Sequence, residues 1–422
     1  MSALRSQSEP IVITGIGMLA SVGSDRESVW RAVCRGQSGV RSLKGLDSIP
    51  DGLVLGAPVD LGPSANGRSG QLKAITLTET AAAEALSDAR VDLSAMDLER
   101  FGCAISGHMG DTSFVSDQLG LDKRGPDAVP WWQQWMPNTA CSTVANKFGF
   151  AGPRICHSVA CASGMIDILA AVRSIRDSQC DIAVCGSAEA FHPLFAAGFH
   201  QMKVLAWDDE PTQACRPFDS RRHGFVMGEG AAMFVVERLS HALARGARIY
   251  AEVAGGKVLA QAHHVTDLDG ESGALAYLIA STLRDAGLDA ADIDYINAHG
   301  TGTRQNDLVE TRGIRRAMGP AADDLCVSST KSMLGHLVNA SGSVELAVTA
   351  LALRDGFAPP TINLTDPDPE CDLDCIPLVG RPRRMEHALK LSVAFGGHLA
   401  AIALRRWNDE STGFAYPRAP AA

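Results

Sequence analysis

The chain contains 422 residues, of which 46% are hydrophobic and 20% are charged. These proportions are typical of a folded globular protein, and the length suffices for two domains or for one large duplicated unit. The formal net charge of −10 argues against a nucleic-acid-binding protein, because such proteins usually carry a basic surface.

The start of the chain, MSALRSQSEP, lacks the basic end and apolar centre of a signal peptide. No apolar run reaches the roughly 18 residues that a membrane-spanning helix needs. The eleven cysteines show neither CxxC pairs nor Cys/His metal spacing. We therefore expect a cytoplasmic protein with no membrane span, in which most cysteines are small buried side chains and one is reactive.

The first part of the chain alternates short β-branched runs with helical patterns. A buried strand at 11–17 leads to a helix that Ser24 caps and that ends at Gly36, and a second helix is predicted at 71–90. A third helix is predicted at 162–176. The further strands predicted in this part are 102–106, 155–160, 181–187 and 231–237.

The same alternation restarts after the turn at 244–248. The strands predicted there are 249–255, 294–300, 325–330, 389–397 and 400–406, and the helices are 271–287, 306–318 and 340–355. This element order predicts an internally duplicated α/β protein with one half at 1–250, the other at 251–410 and a tail at 411–422. No repeat is visible in the residues themselves.

Cys161 is predicted to lie between a strand and the first turn of the helix at 162–176. Free N–H groups and the dipole of a helix N-terminus favour a thiolate, so we expect the pKa of this thiol to be lowered. The next three residues are small and leave room for a substrate carbonyl. For a lone cysteine, however, a buried structural role is the commoner one.

Two further segments place polar residues at strand ends, where active groups often lie in α/β folds. The segment YINAHGTGT carries His299, and the segment SSTKSMLGH carries Lys331 and His336. Taken singly, each of the three is more often a satisfied polar residue than a catalyst, because a fold alone assigns no function.

Together, the segments VACASG, NAHGTGT, STKSMLGH and AFGGH resemble, in order and spacing, those of the elongating β-ketoacyl-[acyl-carrier-protein] synthases of the thiolase superfamily. The resemblance spans residues 10–407. It implies a thiolase-like fold, layered αβαβα with two mixed sheets. It also implies decarboxylative Claisen condensation of an acyl thioester with a malonyl thioester on acyl carrier protein, in fatty acid elongation.

The resemblance implies a role for each residue of the motifs. Cys161 matches the family's nucleophile, and its backbone N–H together with that of Phe395 matches the oxyanion hole. His299 and His336 match the donors to the malonyl thioester oxygen. The similar segment NTACST, with Cys141, does not follow a Gly-Pro pair as the family's nucleophile does, so Cys141 is interpreted as structural.

Supporting roles follow from the same resemblance. Lys331 is expected to pair with Glu345 and to hold the histidines, and Asp307 and Glu310 match family acids that could equally be inert, solvated helix charges. The residues that match the phosphopantetheine-binding threonines are Thr266, Thr301 and Thr303. The residues that match the family's gate between the nucleophile and the acyl pocket are Phe395, Gly396 and Gly397.

No metal or cofactor is expected, since the substrates are carried on the phosphopantetheine of the carrier. Asn297, Glu345 and Ser392 nevertheless match positions at which some members hold a structural cation. Large indoles in the segment 131–135 could shorten the acyl pocket or lie at a dimer interface.

The expected partners are acyl carrier protein and, in a homodimer, a second copy of the chain. Basic residues that could attract the acidic carrier are Arg68, Lys73, Lys203, Arg221 and Arg222. A ketosynthase of a polyketide or specialised lipid pathway is the close alternative. A non-catalytic chain-length partner is disfavoured because Cys161 is present. A thiolase is disfavoured because it uses a second cysteine. The motifs leave acyl chain length and branching open.

Overall fold

A computed structural model describes residues 9–43, 55–61, 71–107, 133–134, 136–191 and 193–408. The α-helices in these residues are α1 Arg26–Cys34, α2 Lys73–Asp88, α3 Thr139–Phe148, α4 Ser163–Arg176, α5 Pro193–Gln201, α6 Leu239–Ala244, α7 Gly273–Ala286, α8 Arg304–Met318, α9 Lys331–Leu334 and α10 Ser341–Asp355.

The strands in the described residues are β1 Ile11–Ala20, β2 Arg41–Ser42, β3 Leu55–Ala57, β4 Phe101–Gly107, β5 Arg154–Ile155, β6 Ile182–Glu189, β7 Met227–Gly228, β8 Gly230–Arg238, β9 Ala251–Ala260, β10 Tyr295–Asn297, β11 Cys326–Ser328, β12 Phe357–Ala358, β13 Arg381–Pro382, β14 His387–Ala394 and β15 His398–Arg406. Three predictions concern residues outside the described ranges: the tail at 411–422, the tryptophans of 131–135 and the docking residue Arg68.

Two predicted elements differ from the structure. Helix α1 is capped by Asp25 and not by Ser24, because the Asp25 carboxylate accepts a hydrogen bond from the Ser28 N–H at 2.9 Å. The strand predicted at 155–160 is reduced to the two residues of β5. The apolar residues there belong to a partly buried turn that leads to Cys161. Alternation of apolar and polar residues alone does not distinguish such a turn from a strand.

Each half of the chain builds a mixed sheet, and the two sheets have equivalent strand orders. In the first half the strand order is β5-β4-β6-β8-β1, and in the second it is β11-β10-β14-β15-β9. In each half the first three strands are parallel and the last two are antiparallel to their neighbours. Strands β1 and β9 pair at two residues, so hydrogen bonding continues from one mixed sheet into the other.

Helices α4 and α10 contact each other and the strands of both sheets, and they form the central layer. Helix α2 covers the outer face of the first sheet, and α7 covers that of the second. The predicted αβαβα order is therefore present. No helix in the described ranges is both long and apolar enough to cross a bilayer.

The two central helices begin alike, and this reveals a short residue repeat that the sequence reading missed. Each follows a 3-10 turn, at Ala160–Ala162 and at Val338–Ala340, and each then continues with Ser-Gly. The first residue of each turn has a positive φ, 48° at Ala160 and 41° at Val338. Ala-Ser-Gly thus occurs at the same structural point in both halves, and Cys161 has Asn339 as its counterpart.

Candidate active site

Cys161 is positioned by a sharp turn. Ala160 is held in the left-handed region, which is costly for a residue with a Cβ, and the chain enters α4 at Ser163, two residues after the cysteine. Gly164 allows α4 to lie close to β6, because a Cβ there would lie 2.2 Å from the Ser187 hydroxyl oxygen. The thiol is buried, with only 7% of the residue exposed.

Two histidines from the second half converge on this thiol. Cys161 Sγ and one nitrogen of each ring, His299 and His336, all lie within 4.8 Å of one another. The two imidazoles meet edge to face at 5.3 Å between ring centres, and Phe225 packs against His336 at 5.0 Å. Cys141 is not part of this cluster: its Sγ lies 3.4 Å from Cys103 Sγ, on β4.

The hydrogen bonds of His336 define its tautomer. Its Nδ1 accepts from the Val338 N–H at 3.0 Å and lies 2.8 Å from the Ser341 hydroxyl. A nitrogen that accepts a backbone N–H carries no proton itself, so the proton of the neutral ring is on Nε2. His336 can therefore donate through Nε2.

Lys331 defines the tautomer of His299 in the same way. The buried Lys331 ammonium donates to the His299 carbonyl at 2.6 Å and lies 3.4 Å from the His299 Nδ1. It also pairs with Glu345 at 2.6 Å, as the family resemblance implies. An ammonium beside Nδ1 leaves the imidazole proton on Nε2.

Burial controls the charge state of all three groups. It lowers the pKa of His299 and of His336 well below the usual value, and the Lys331 charge lowers both further, so both rings are neutral. Burial also raises the pKa of the Cys161 thiol to about 12, although Lys331 opposes the change. The expectation of a lowered pKa for this thiol is therefore wrong, because removal from water outweighs the nearby positive charge.

Two buried carboxylates shape the loop that carries His299. Glu310 accepts from the backbone N–H groups of His299 at 2.5 Å and of Gly300 at 2.7 Å. Asp307 accepts from the Gly302 N–H at 3.2 Å. Both acids are 0% exposed, so the alternative that they are solvated helix charges is wrong. Burial raises the pKa of each, and the backbone donors oppose it.

A cavity of about 360 Å³ opens onto the cluster. The three threonines expected to bind the phosphopantetheine arm all line it, together with Phe395 and Lys203. The Thr301 and Thr303 hydroxyls lie 2.8 Å apart, and Thr303 also caps α8. Thr266 comes from the loop after β9. The cavity therefore joins the surface to Cys161 along a path with hydroxyl groups.

The predicted gate is a tight turn between β14 and β15. Gly396 and Gly397 have φ values of 83° and 78°, in the region that favours glycine. The Gly396 N–H donates to the Val265 carbonyl and the Gln261 N–H to the Gly397 carbonyl, each at 2.7 Å. A Cβ on Gly397 would lie 2.3 Å from the Gln261 carbonyl oxygen. The gate is thus fastened to the loop that carries Thr266.

The residues suggested for a structural cation do not fit one. Asn297 Oδ1 and Ser392 Oγ are buried without a hydrogen-bond partner, but the available oxygen of Glu345 is paired with the Lys390 ammonium at 2.7 Å. With Lys331 on the other oxygen, a third positive charge would share a single carboxylate in a fully buried site. Such a charge is strongly disfavoured.

Lys390 itself was missed by the sequence reading. The signal was present: a lysine stands between Leu389 and Leu391 in β14, a strand whose residues from 388 onward are all buried.

The basic residues proposed for carrier docking differ in availability. Lys203 lines the mouth of the cavity, and Arg221 is exposed beside Asp219. Arg222 is buried and paired with Asp307 and Asp368, so its assignment to a docking surface is wrong. Lys73 is half-buried against Glu229, which leaves it little freedom to meet a partner.

Comparison with known proteins supports the family resemblance over most of the chain. Residues 8–242 match the family described as "Beta-ketoacyl synthase, N-terminal domain", and residues 250–365 match "Beta-ketoacyl synthase, C-terminal domain". The tetracenomycin polyketide synthase ketoacyl synthase alpha subunit of Streptomyces glaucescens is 37% identical over 95% of this chain and 98% of its own length. The 3-oxoacyl-[acyl-carrier-protein] synthase 2 of Vibrio cholerae is 38% identical over 94% and 99%.

Solved structures are similar as well. A beta-ketoacyl synthase from Burkholderia phymatum superposes with a TM-score of 0.84 at 30% identity, covering 95% of this chain and 100% of that one. A type II polyketide ketosynthase, in complex with its acyl carrier protein and bound to a hexaketide, gives a TM-score of 0.87 at 31% identity over the same shares. The predicted thiolase-like α/β fold is confirmed, and the chain belongs to the beta-ketoacyl synthase family.

Proposed function

We propose that this chain is a 3-oxoacyl-[acyl-carrier-protein] synthase that condenses an acyl thioester with malonyl-acyl carrier protein. The observation that carries the proposal is the convergence of the Cys161 thiol with two neutral imidazoles at the end of a cavity lined by hydroxyl groups. A nucleophile and two N–H donors are the groups that acyl transfer and enolate formation require.

In the first half-reaction, Cys161 Sγ attacks the carbonyl carbon of the incoming acyl thioester. The tetrahedral oxyanion is held by the backbone N–H groups of Cys161 and Phe395, which both line the cavity. The bond to the carrier sulfur breaks, the acyl group stays on Cys161, and the thiol proton leaves with the carrier thiol. Because the pKa of Cys161 is raised, its deprotonation belongs to the attack step.

In the second half-reaction, malonyl thioester enters and its carbonyl oxygen accepts from Nε2 of His299 and of His336. The bond to the carboxylate breaks, CO2 leaves, and the electron pair forms an enolate. Two neutral donors suit this oxygen, whereas carboxylates would repel it. The enolate carbon attacks the acyl carbonyl, the bond to Cys161 Sγ breaks, and the thiolate takes up a proton.

The proposal extends to the substrate carrier, the oligomeric state and the cellular location. The substrates arrive on the phosphopantetheine of an acidic acyl carrier protein, which Lys203 at the cavity mouth attracts, and the chain itself uses no cofactor. The enzyme works as a homodimer in the cytoplasm. All eleven cysteines are free thiols, which suits a reducing compartment.

A ketosynthase of a type II polyketide pathway is the second candidate. It is favoured by the Streptomyces glaucescens relative, whose identity of 37% is close to the 38% of the Vibrio cholerae synthase. Reaction with saturated acyl carriers and malonyl carrier, followed by mass spectrometry of the product, separates the two. One round giving a 3-oxoacyl product identifies elongation, whereas repeated unreduced rounds identify polyketide synthesis.

The mechanism predicts that two activities can be separated. Cys161→Ala should abolish condensation, because no acyl-enzyme forms, but should still release CO2 from malonyl carrier, because that step needs only the histidines. Product formation and CO2 release are measured on the same protein. Cys141→Ala, which removes a buried thiol outside the cluster, is the control and should retain both activities. Condensation by the Cys161→Ala protein would refute the mechanism.

A further inference from the structure

Lys390 is a buried charge for which the proposed reaction has no direct use. It lies in β14 opposite Asn297 of β10, and it is 0% exposed. Burial lowers the pKa of its ammonium to about 8, and Glu345 opposes this change. The group therefore remains mainly protonated near neutral pH. A buried charge of this kind persists only where partners are arranged around it.

The partners of Lys390 are all oxygen atoms. Its ammonium donates to the backbone carbonyls of Ala298 at 3.1 Å, of Asn297 at 3.5 Å and of Leu391, and it pairs with Glu345 at 2.7 Å. Carbonyl oxygens replace the hydration shell of a monovalent cation such as potassium in proteins, and here a carboxylate adds the compensating negative charge.

Two of these carbonyls belong to the residues directly before His299. The carboxylate of Glu345 is shared: one oxygen meets Lys390 at 2.7 Å, and the other meets Lys331 at 2.6 Å. Lys331 in turn donates to the His299 carbonyl at 2.6 Å. The Lys390 ammonium thus supports His299 along two routes, through the strand end and through the carboxylate that orients Lys331.

We propose that the Lys390 ammonium is a built-in cation: it occupies the place of a bound monovalent ion, neutralises Glu345 and positions His299 for the malonyl step. This inference rests on the proposed function for its catalytic consequence, although the placement of the charge does not. Lys390 is accordingly a positioning residue, since it acts through His299 and not on the substrate.

The test is chemical rescue of malonyl decarboxylation in defined salts. Lys390→Ala leaves space beside Glu345 and should lose about 10²-fold in CO2 release when tetramethylammonium, which is too large for the site, is the only cation. Added methylammonium or potassium should restore most of the loss. Lys390→Met fills the space without charge, so it should lose as much and should not be rescued. The wild type should show the same rate in every salt.

A second readout does not need activity. Methylammonium should raise the melting temperature of Lys390→Ala and leave those of the wild type and of Lys390→Met unchanged. Lys257→Ala is the control, because Lys257 pairs with Asp285 at 2.8 Å in a half-exposed position and should respond to neither salt nor amine.

Three results would overturn the inference: a wild type that needs potassium, a Lys390→Ala protein with wild-type activity, or amine effects that are equal in Lys390→Ala and Lys390→Met. If the wild type releases no CO2 from malonyl carrier, the proposed function fails. In that case the melting temperatures still decide whether the ammonium fills a cation site.

Discussion

At the scale of single residues, the site depends on where protons lie. The His336 Nδ1 accepts a backbone N–H and the His299 Nδ1 faces an ammonium, so both rings present Nε2–H to the cavity. The motifs predict which residues meet, but not these tautomers, because the contacts of the Val338 amide with His336 and of the Lys331 ammonium with His299 exist only in the folded geometry. The raised pKa of Cys161 could not be predicted from the sequence either, since it follows from burial of the thiol in the tertiary structure.

The donor role of His336 predicts a specific loss. His336→Ala should lower CO2 release from malonyl carrier by about 10²- to 10³-fold, because one of two donors to the developing enolate is removed. Cys161 should still accept an acyl group. Both steps are followed separately, by CO2 release and by the mass of the acylated protein.

His241→Ala is the matched control, since His241 pairs with Glu237 at 2.5 Å outside the cluster. A loss of less than about 10-fold in His336→Ala, or an equal loss in the His241 variant, would argue that His336 does not stabilise the enolate.

At the scale of elements, the site is made by turns and not by the strands that the periodicity reveals. The regular elements agree with the sequence to within a few residues, as in α7, α8 and α10. The turns before α4 and α10 contain Ala160 and Val338 at positive φ. Glycine is the residue that usually indicates a positive φ in a sequence, and neither position is a glycine. Local propensity misses these positions because the packed central layer imposes them.

The gate turn between β14 and β15 gives an element-scale prediction. Gly397→Ala should destabilise the protein by about 1–3 kcal/mol and slow acylation, because it adds both a strained φ and a contact with the Gln261 carbonyl. Gly246→Ala supplies the comparison: its φ is 63°, but no atom lies within 4 Å of the added Cβ.

Unfolding in urea and the rate of acyl transfer are measured for both gate variants. Equal stability of the two proteins, or normal acylation by Gly397→Ala, would contradict a tightly fastened gate.

At the scale of the whole molecule, the active site exists because the fold is duplicated. The first half contributes Cys161 at the start of α4, and the second contributes His299 and His336 near α10, the equivalent helix. Element order was enough to predict the duplication. Element order was not enough to predict that Cys161 of one half meets the histidines of the other. The family motifs supplied that prediction. Neither half contains a complete site.

The most direct test of the proposed mechanism is the identity of the residue that carries the acyl group. The whole protein is mixed with an acyl carrier in the absence of malonyl thioester and analysed by intact and peptide mass spectrometry. The proposed mechanism predicts one acyl group per chain, on the peptide that contains Cys161, and its discharge when malonyl carrier is added. An acyl group on Cys141, or an acylated protein that malonyl carrier does not discharge, would contradict it.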